Sequence, residues 1–443
     1  MKQIQMRYGT REFLRYVLPS VASMLVFSLY SMVDGIFVAH GVGEAALAAV
    51  NLSMPFTNCI FAVAVLLAVG TSTVVAIHIG RGELMEARRT ATTNTLLVAV
   101  LATAVSILTH IFLEDISIML GATEETLEYV KQYLGIVSSF AICYMVSYCL
   151  EVLVKTDGYP QLSIVGVCSC CVTNIVLDYV FVMIFHWGIA GAAYATGIAQ
   201  TISLILFSSH FLGKRTNIKP LLKKLDLSVY KRIIPLGIAD FSGEISLGLT
   251  VLLFNRVILA KIGEPGLVSF AVISYVNTLV LMLVTGITQG MQPLVSLYFG
   301  KGEMQHCRGY YRKGLTTAAI IGVVAFIICQ LFAPFIASLL LDDTSMVFDY
   351  TAYSIRRFSL GFLFAGVNIC SAGFFTAIEQ PKKSMTISLL RGIGLVISSM
   401  AALVLIFGGE GVWFTTGMSE ALCVILTIYL VISWNKRQNA KLI

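Results

Sequence analysis

Ile79-Gly80-Arg81-Gly82-Glu83-Leu84-Met85 stands between two long apolar runs, and 220 residues later Phe299-Gly300-Lys301-Gly302-Glu303-Met304-Gln305 stands between two more. The match falls on glycines, a cation and a glutamate. Loops need such residues, whereas interchangeable Leu and Val would match in any pair of apolar helices. At the same offset Arg88 pairs with Arg308, Gly43-Glu44 with Gly263-Glu264, and Gly70 with Gly290. Gly191 likewise pairs with Gly411, and Thr196 with Thr416. The chain therefore reads as two related halves of the same orientation.

The runs on either side of these loops have the length of membrane spans. A helix needs ~20 mostly apolar residues to cross the hydrocarbon core. Twelve runs meet that measure, near 13–39, 46–77, 90–112, 129–153, 161–185, 188–211, 233–259, 267–297, 314–340, 352–377, 385–407 and 411–434. Of the 443 residues, 57% are hydrophobic and 12% charged, and the mean hydropathy is +0.86. Soluble domains carry roughly 25% charged residues, twice this chain's share. The expectation is an all-α integral membrane protein with twelve transmembrane helices in two pseudo-symmetric six-helix lobes. The lobes are residues 1–212 and 233–443, joined by a basic linker, 213–232, expected to lie as an amphipathic helix on the membrane surface. The start, with Lys2, Arg7, Arg11 and Arg15, has no small-residue cleavage site and reads as a tail feeding the first span.

The net charge of +6 does not point to nucleic acid, because its carriers sit in short loops between apolar runs. One side takes the N-terminal tail, Arg81, Arg88, Arg89, Lys155, the linker, Lys301, Arg308, Arg312, Lys313, Lys382, Lys383 and the C-terminal tail. The other side holds Lys131, Lys261, Arg356 and Arg357 beside Glu124, Glu125 and Glu128. The positive-inside rule then predicts both termini in the cytoplasm, which requires an even number of spans. The ten cysteines fall mainly in apolar segments. Cys168, Cys170 and Cys171 lack the paired CxxC spacing of a zinc or redox site, so no metal is expected. There is no HExxH, no Gly-x-Ser-x-Gly and no Walker A loop, so neither an enzyme nor an ATP-driven pump is expected.

Ionisable and amide side chains inside the runs carry the functional expectation, since each costs at least ~2.5–3.5 kcal/mol to insert. Asp34 lies four residues after Tyr30, on the same helix face. Asn174 and Asp178 are also one turn apart and present an amide oxygen and a carboxylate together. Thr196 opens the sixth run among small residues, with Gln200 one turn on. Such oxygens suit a hard cation such as Na⁺, and a buried carboxylate equally suits a proton. The related positions of the second half are Gly394 and Ser398, so the acid cluster is not duplicated. That half instead offers Asp240 and Glu244, Gln289 and Gln292 around Gly290, and Arg256 and Arg391 within runs. Tyr30, Met32, Met54 and Met282 lie on runs that the repeat places around a central cavity, and adaptable methionines suit varied ligands.

In these residues the chain resembles the multidrug and toxic compound extrusion (MATE) family along essentially its whole length. The resemblance rests on Pro19 followed by Asp34, the repeated Gly-x-Gly-Glu loop, and Asn174-x-x-x-Asp178. It also rests on Gly188-x-x-Gly191-Ala192-Ala193-x-Ala195-Thr196 and on Pro160 and Pro381 at matching points. It implies two lobes that alternate between outward- and inward-facing states and export cationic or amphipathic drugs or metabolites against H⁺ or Na⁺, with no other cofactor. It further implies a coupling site at Asp34, Asn174, Asp178 and Thr196, with Tyr30 beside it and Pro19 as the bending point of the first helix. Some members hold a second cation site with acids on the seventh and tenth helices. Glu244 matches the first of these, and the tenth run, 358–378, has no acid. A multi-pass monomer in the cell membrane, contacting lipid and no nucleic acid, is the expected setting. The alternative is a flippase for lipids or lipid-linked oligosaccharides, which would line its cavity with several Arg or Lys.

Overall fold

The computed structural model describes residues 2–221, 225–341 and 347–440, with the side chains of 2–8, 31, 32, 35, 36, 39, 40, 44 and 437–440 outside that description. The first half comprises α1 (Lys2–Gly41), α2 (Glu44–Arg81), α3 (Leu84–Ile111), α4 (Leu113–Met119), α5 (Leu127–Ser139), α6 (Ala141–Thr156), α7 (Pro160–Asp178) and α8 (Gly188–Leu212). The second comprises α9 (Tyr230–Lys261), α10 (Glu264–Gly300), α11 (Met304–Ser338), α12 (Phe348–Phe358), α13 (Phe362–Ala377), α14 (Pro381–Leu389), α15 (Leu395–Phe407) and α16 (Thr415–Ala440).

All twelve expected runs are helical. Among the described residues ten stretches are long and apolar enough to cross a membrane, and α5 with α6 adds an eleventh that bends by 50°. One of the ten, Pro381–Lys436, spans 56 residues. It folds back at Gly408 (φ 63°) so that α15 packs on α16, and it therefore holds two spans. The bend between α5 and α6 has its repeat counterpart in the 3₁₀ turn Ser359–Gly361 between α12 and α13. The outer faces stay apolar: Leu405 is 85% exposed, Ile406 71% and Leu331 68%. Such large exposed apolar surfaces suit a hydrocarbon solvent, in which helices keep their backbone groups internally bonded.

The repeated loops turn the chain in the same way. Gly82 (φ 79°) and Gly302 (φ 77°) both sit in the left-handed region, where glycine meets no Cβ penalty. Gly82 N–H returns to Ile79 O, and Gly302 N–H returns to Phe299 O, each at 3.0 Å. Gly80 and Gly300 pack backbone to backbone, so a Cβ at Gly80 would run into Leu297 O and Gly300 Cα. Pro160 and Pro381 both stand in the first turn of their helices, where the missing N–H has no intrahelical partner to lose.

By contacts the chain forms two compact units, Met1–Gly237 with Ser296–Glu303, and Ile238–Val295 with Met304–Ile443. Two expectations need correcting. Lys155 is no loop cation, for it is 1% exposed within α6, 2.9 Å from Glu151 Oε1. Ser163 donates to the same oxygen at 2.8 Å, which completes a buried ion pair. The linker is not an amphipathic helix either. Its described residues before the 3₁₀ turn Leu227–Val229 are non-helical, because α3 side chains capture their backbone. Thr92 Oγ1 accepts from Leu221 N at 2.9 Å, Thr93 Oγ1 from Asp226 N at 3.3 Å, and Arg88 Nε donates to Asn217 O at 2.7 Å.

Candidate functional site

The first unit gathers the expected polar residues from three helices. Small residues set their approach: Gly166 on α7 leaves room only for the Phe207 ring of α8, and Gly191 on α8 abuts the Phe181 backbone. Asn174 and Asp178, both 0% exposed, occupy the last turn of α7. Immediately beyond Asp178 the helix widens into a π-helical segment, Tyr179–Ile184. Such segments break the regular ladder and recur at functional sites. Asp34 of α1 meets Asp178 and Asn174 there. Asn174 Nδ2 donates to Thr196 Oγ1 of α8 at 3.3 Å.

That bond leaves acceptors without donors. Both oxygens of Asp178, Oδ1 of Asp34 and Oδ1 of Asn174 are buried and unpaired. Four buried acceptors on two carboxylates and an amide, with no cation among them, are costly unless a proton or metal cation arrives. Tyr133 of α5 lies close enough to feel both Asp34 and Asp178. Sequence reasoning missed it, and a lone tyrosine in an apolar run gives no signal that would have found it.

Beside the acids a cavity of about 150 Å³ is lined by Phe27, Tyr30, Phe56, Tyr133, Phe140, Tyr144, Thr196 and Gln200. Gln200 Oε1 is oriented by Ser147 Oγ, which donates at 3.1 Å. Tyr30 and Gln200 are thus brought to one pocket. Met54 does not line it and is 49% exposed on α2, and the side chain of Met32 lies outside the described residues. Pro19 stands inside α1. Next to it Ser20 Oγ bonds Tyr16 O at 2.9 Å, a local adjustment that proline-containing spans commonly use.

The second unit is built differently. Glu244 and Asp240 share a face of α9 one turn apart, and Gln292 of α10, 6% exposed, lies beside Asp240. Met282 and Gln289 are half-buried on α10. Arg391 pairs not with Glu244 but with Glu420 of α16, at 2.7 Å. Asn368 of α13 donates to Glu420 Oε2 at 2.7 Å, and Thr427 donates to Asn368 Oδ1 at 2.8 Å. Arg391 lies in the second π segment, Leu390–Gly394, whose Gly392 carbonyl accepts from Thr250 Oγ1 at 3.0 Å. Among the described residues no group of three or more His, Cys, Asp or Glu is placed to hold a metal ion.

Comparison with known proteins agrees with this architecture. The multidrug export protein MepA of Staphylococcus haemolyticus (strain JCSC1435) is 22% identical over 432 residues, covering 96% of this chain and 94% of that protein. A structure described as the outward-facing conformation of a multidrug resistance MATE family transporter of the MOP superfamily superposes with a TM-score of 0.91 at 22% identity, covering 98% of this chain and 96% of the other. A MATE structure in what is described as the bent conformation gives 0.90 at 22% identity, covering 99% of both chains. Residues 19–180 and 247–402 match the MatE family, one segment in each half. The chain belongs to the MatE family, the multidrug and toxic compound extrusion family that its loops and acids resemble.

Proposed function

We propose that this chain is a secondary active exporter of cationic or amphipathic small molecules, driven by H⁺ or Na⁺ entering the pocket of Asp34, Asn174 and Asp178. The observation that carries the reading is the set of buried acceptor oxygens without donors, set against an aromatic cavity. Aromatic faces attract organic cations, and two adjacent carboxylates repel one another until a cation neutralises them. Cation and drug thus compete for the same negative charge, through different residues. Coupling requires that the two favour different conformations, since a ligand with equal affinity for both shifts nothing. The hinge for that change is Pro19, and the bent state described for a solved neighbour supports assigning it there. Thr196, which accepts from Asn174 Nδ2, holds that amide beside the acids, while Glu244 and Asp240 form a second acidic pair in the other unit.

On this reading the protein is not an enzyme, needs no cofactor beyond the coupling ion and works as a monomer in the cell membrane. Both termini face the cytoplasm, where the basic loops collect. The flippase alternative has less support, because Arg391, a cation within the spans, is already committed to Glu420.

The test is ethidium efflux from cells expressing the wild type or Asp34→Asn, with proton and sodium gradients collapsed separately. We expect efflux to stop in Asp34→Asn and to depend on one gradient, which names the ion. Efflux by Asp34→Asn at the wild-type rate overturns the assignment.

A further inference from the structure

Pro19 stands inside α1, where it cannot donate to the carbonyl of Arg15, and helices bend most readily at such a gap. Two contacts bracket it. Before it, Arg15 Nη2 donates to Gly158 O at 3.3 Å. One turn after it, Ser23 Oγ lies 3.3 Å from Ser163 Oγ. Gly158 and Ser163 stand on either side of Pro160, where α6 gives way to α7. The stretches of α1 before and after the proline are thus tied to one short segment.

The second of these ties is aimed from behind. Ser163 donates its single proton to Glu151 Oε1 at 2.8 Å, so Ser23 is the donor between the two hydroxyls. Glu151 is fixed in turn by Lys155 Nζ at 2.9 Å. All four side chains are buried. A buried ion pair adds little stability of its own, but this one orients a hydroxyl so that its lone pairs face α1. The second half has neither the proline nor the tie. The positions related to Pro19, Ser23, Glu151, Lys155 and Ser163 are Ala239, Gly243, Ser371, Phe375 and Lys383. Both features occur together, in the half whose first helix carries Asp34.

We propose that the Ser23–Ser163 bond, aimed by Glu151 and Lys155, is a latch that holds α1 beyond Pro19 against α7 and opens when α1 bends. The inference rests on the reading that places the hinge at Pro19. Arg15 keeps the start of α1 on Gly158 while the segment from Ser23 to Asp34 swings. Opening breaks one hydrogen bond, because Ser163 keeps Glu151 when Ser23 leaves. A hydrogen bond between membrane helices biases an equilibrium about threefold on average. That is enough to set populations and weak enough to release. Ser23 and Ser163 are positioning residues, acting on the coupling acids through the course of α1.

The test follows α1 in the purified full chain, in lipid nanodiscs, by pulsed electron spin resonance. Nitroxide amino acids are encoded at Leu29 on α1 and Val100 on α3, which are 55% and 64% exposed; the ten free cysteines rule out thiol labels. Distances are recorded at high and low pH, with and without Na⁺. In the wild type we expect two distances, the bent form being the one that Pro19→Ala depletes. Ser23→Ala should shift their ratio about threefold toward the bent form. Ser163→Ala should shift it at least as far, and the double variant no further than Ser163→Ala. Ser72→Ala, which removes a buried hydroxyl bonded to Thr156 at 2.7 Å, should leave the ratio unchanged. Two distances whose ratio ignores Ser23→Ala, or moves as far with Ser72→Ala, overturn the latch and spare the hinge. A single distance in every variant and condition overturns the hinge and the latch with it. Neither result depends on drug efflux.

Discussion

The two halves share their loops, their broken fourth spans and a π segment in the fifth, but they bury charge in opposite ways. In the first unit Asp34 and Asp178 face each other without a cation. In the second, Arg391 is held by Glu420, itself fixed by Asn368 and Thr427. A neutral ion pair braced by amide and hydroxyl is balanced in charge. Two adjacent acids with buried oxygens that lack donors are not. The same scaffold thus carries an unbalanced acidic pair and a balanced ion pair, and Asp178 and Arg391 at the π turns are part of the difference. Sequence duplication preserved the backbone; the chemistry diverged on it.

The largest effects should separate those two arrangements. Asp178→Asn is expected to reduce gradient-driven efflux to the background of cells lacking the transporter, while thermal stability in detergent stays at or above wild type, because a repulsion is relieved. Glu420→Gln should do the reverse. It leaves Arg391, which is partly buried, without its counter-charge, and stability should fall toward the ~3–5 kcal/mol of a broken buried pair. Replacing both members, Arg391→Met with Glu420→Gln, should recover most of that loss, and the double-mutant cycle measures the coupling. If Asp178→Asn destabilises as much as Glu420→Gln, the acids of the first unit are structural and the contrast collapses.

A smaller effect sharpens the likeness of the loops. Gly82→Ala and Gly302→Ala each force a Cβ into the left-handed region, a cost of roughly 1–2 kcal/mol, and neither meets a neighbour within 4 Å. Equal losses on denaturation would show that the two turns are energetically the same device. Gly80→Ala should cost more than either, because its Cβ meets the Leu297 carbonyl and the Gly300 backbone.

The sequence announced these features unevenly, for physical reasons. Asp34, Asn174 and Asp178 were legible because a charge or amide in an apolar run needs a cause. The twelve spans were legible because hydrophobic length is nearly sufficient to define them. Tyr133 was not, since it comes near Asp34 and Asp178 only when α5 packs on α2 and α8. Lys155 was misread although Glu151 stood one turn earlier; the spacing allowed a buried pair, but only packing decides whether it is buried. The linker was misread because its pattern suits an amphipathic helix, whereas Thr92, Thr93 and Arg88 on α3 supply its backbone with partners that no local rule foresees. The π turns left no local signature, and they place the two ionisable groups on which the halves differ.

The smallest effect tests whether the matching loops also differ in their response to pH. Glu83 Oε2 lies 2.6 Å from His78 Nδ1, and this contact holds the Glu83 carboxyl below its ordinary range. The residue related to His78 is Tyr298, so the second loop lacks this clip. A carboxyl whose value is lowered by folding adds stability that is complete above its unfolded value and is lost as pH falls through the folded one. Acidification should therefore loosen the turn at Gly82-Glu83 before the turn at Gly302-Glu303. Glu83 is exposed, so the change should be local and small. Amide hydrogen exchange at residues 82–84, corrected for the intrinsic pH dependence, should rise on going from neutral pH to below the carboxylate range. Glu83→Gln should abolish that rise and leave the 302–304 amides as they were. An equal rise at both loops in the wild type would mean that the His78 contact contributes nothing and that the two turns respond to acid alike.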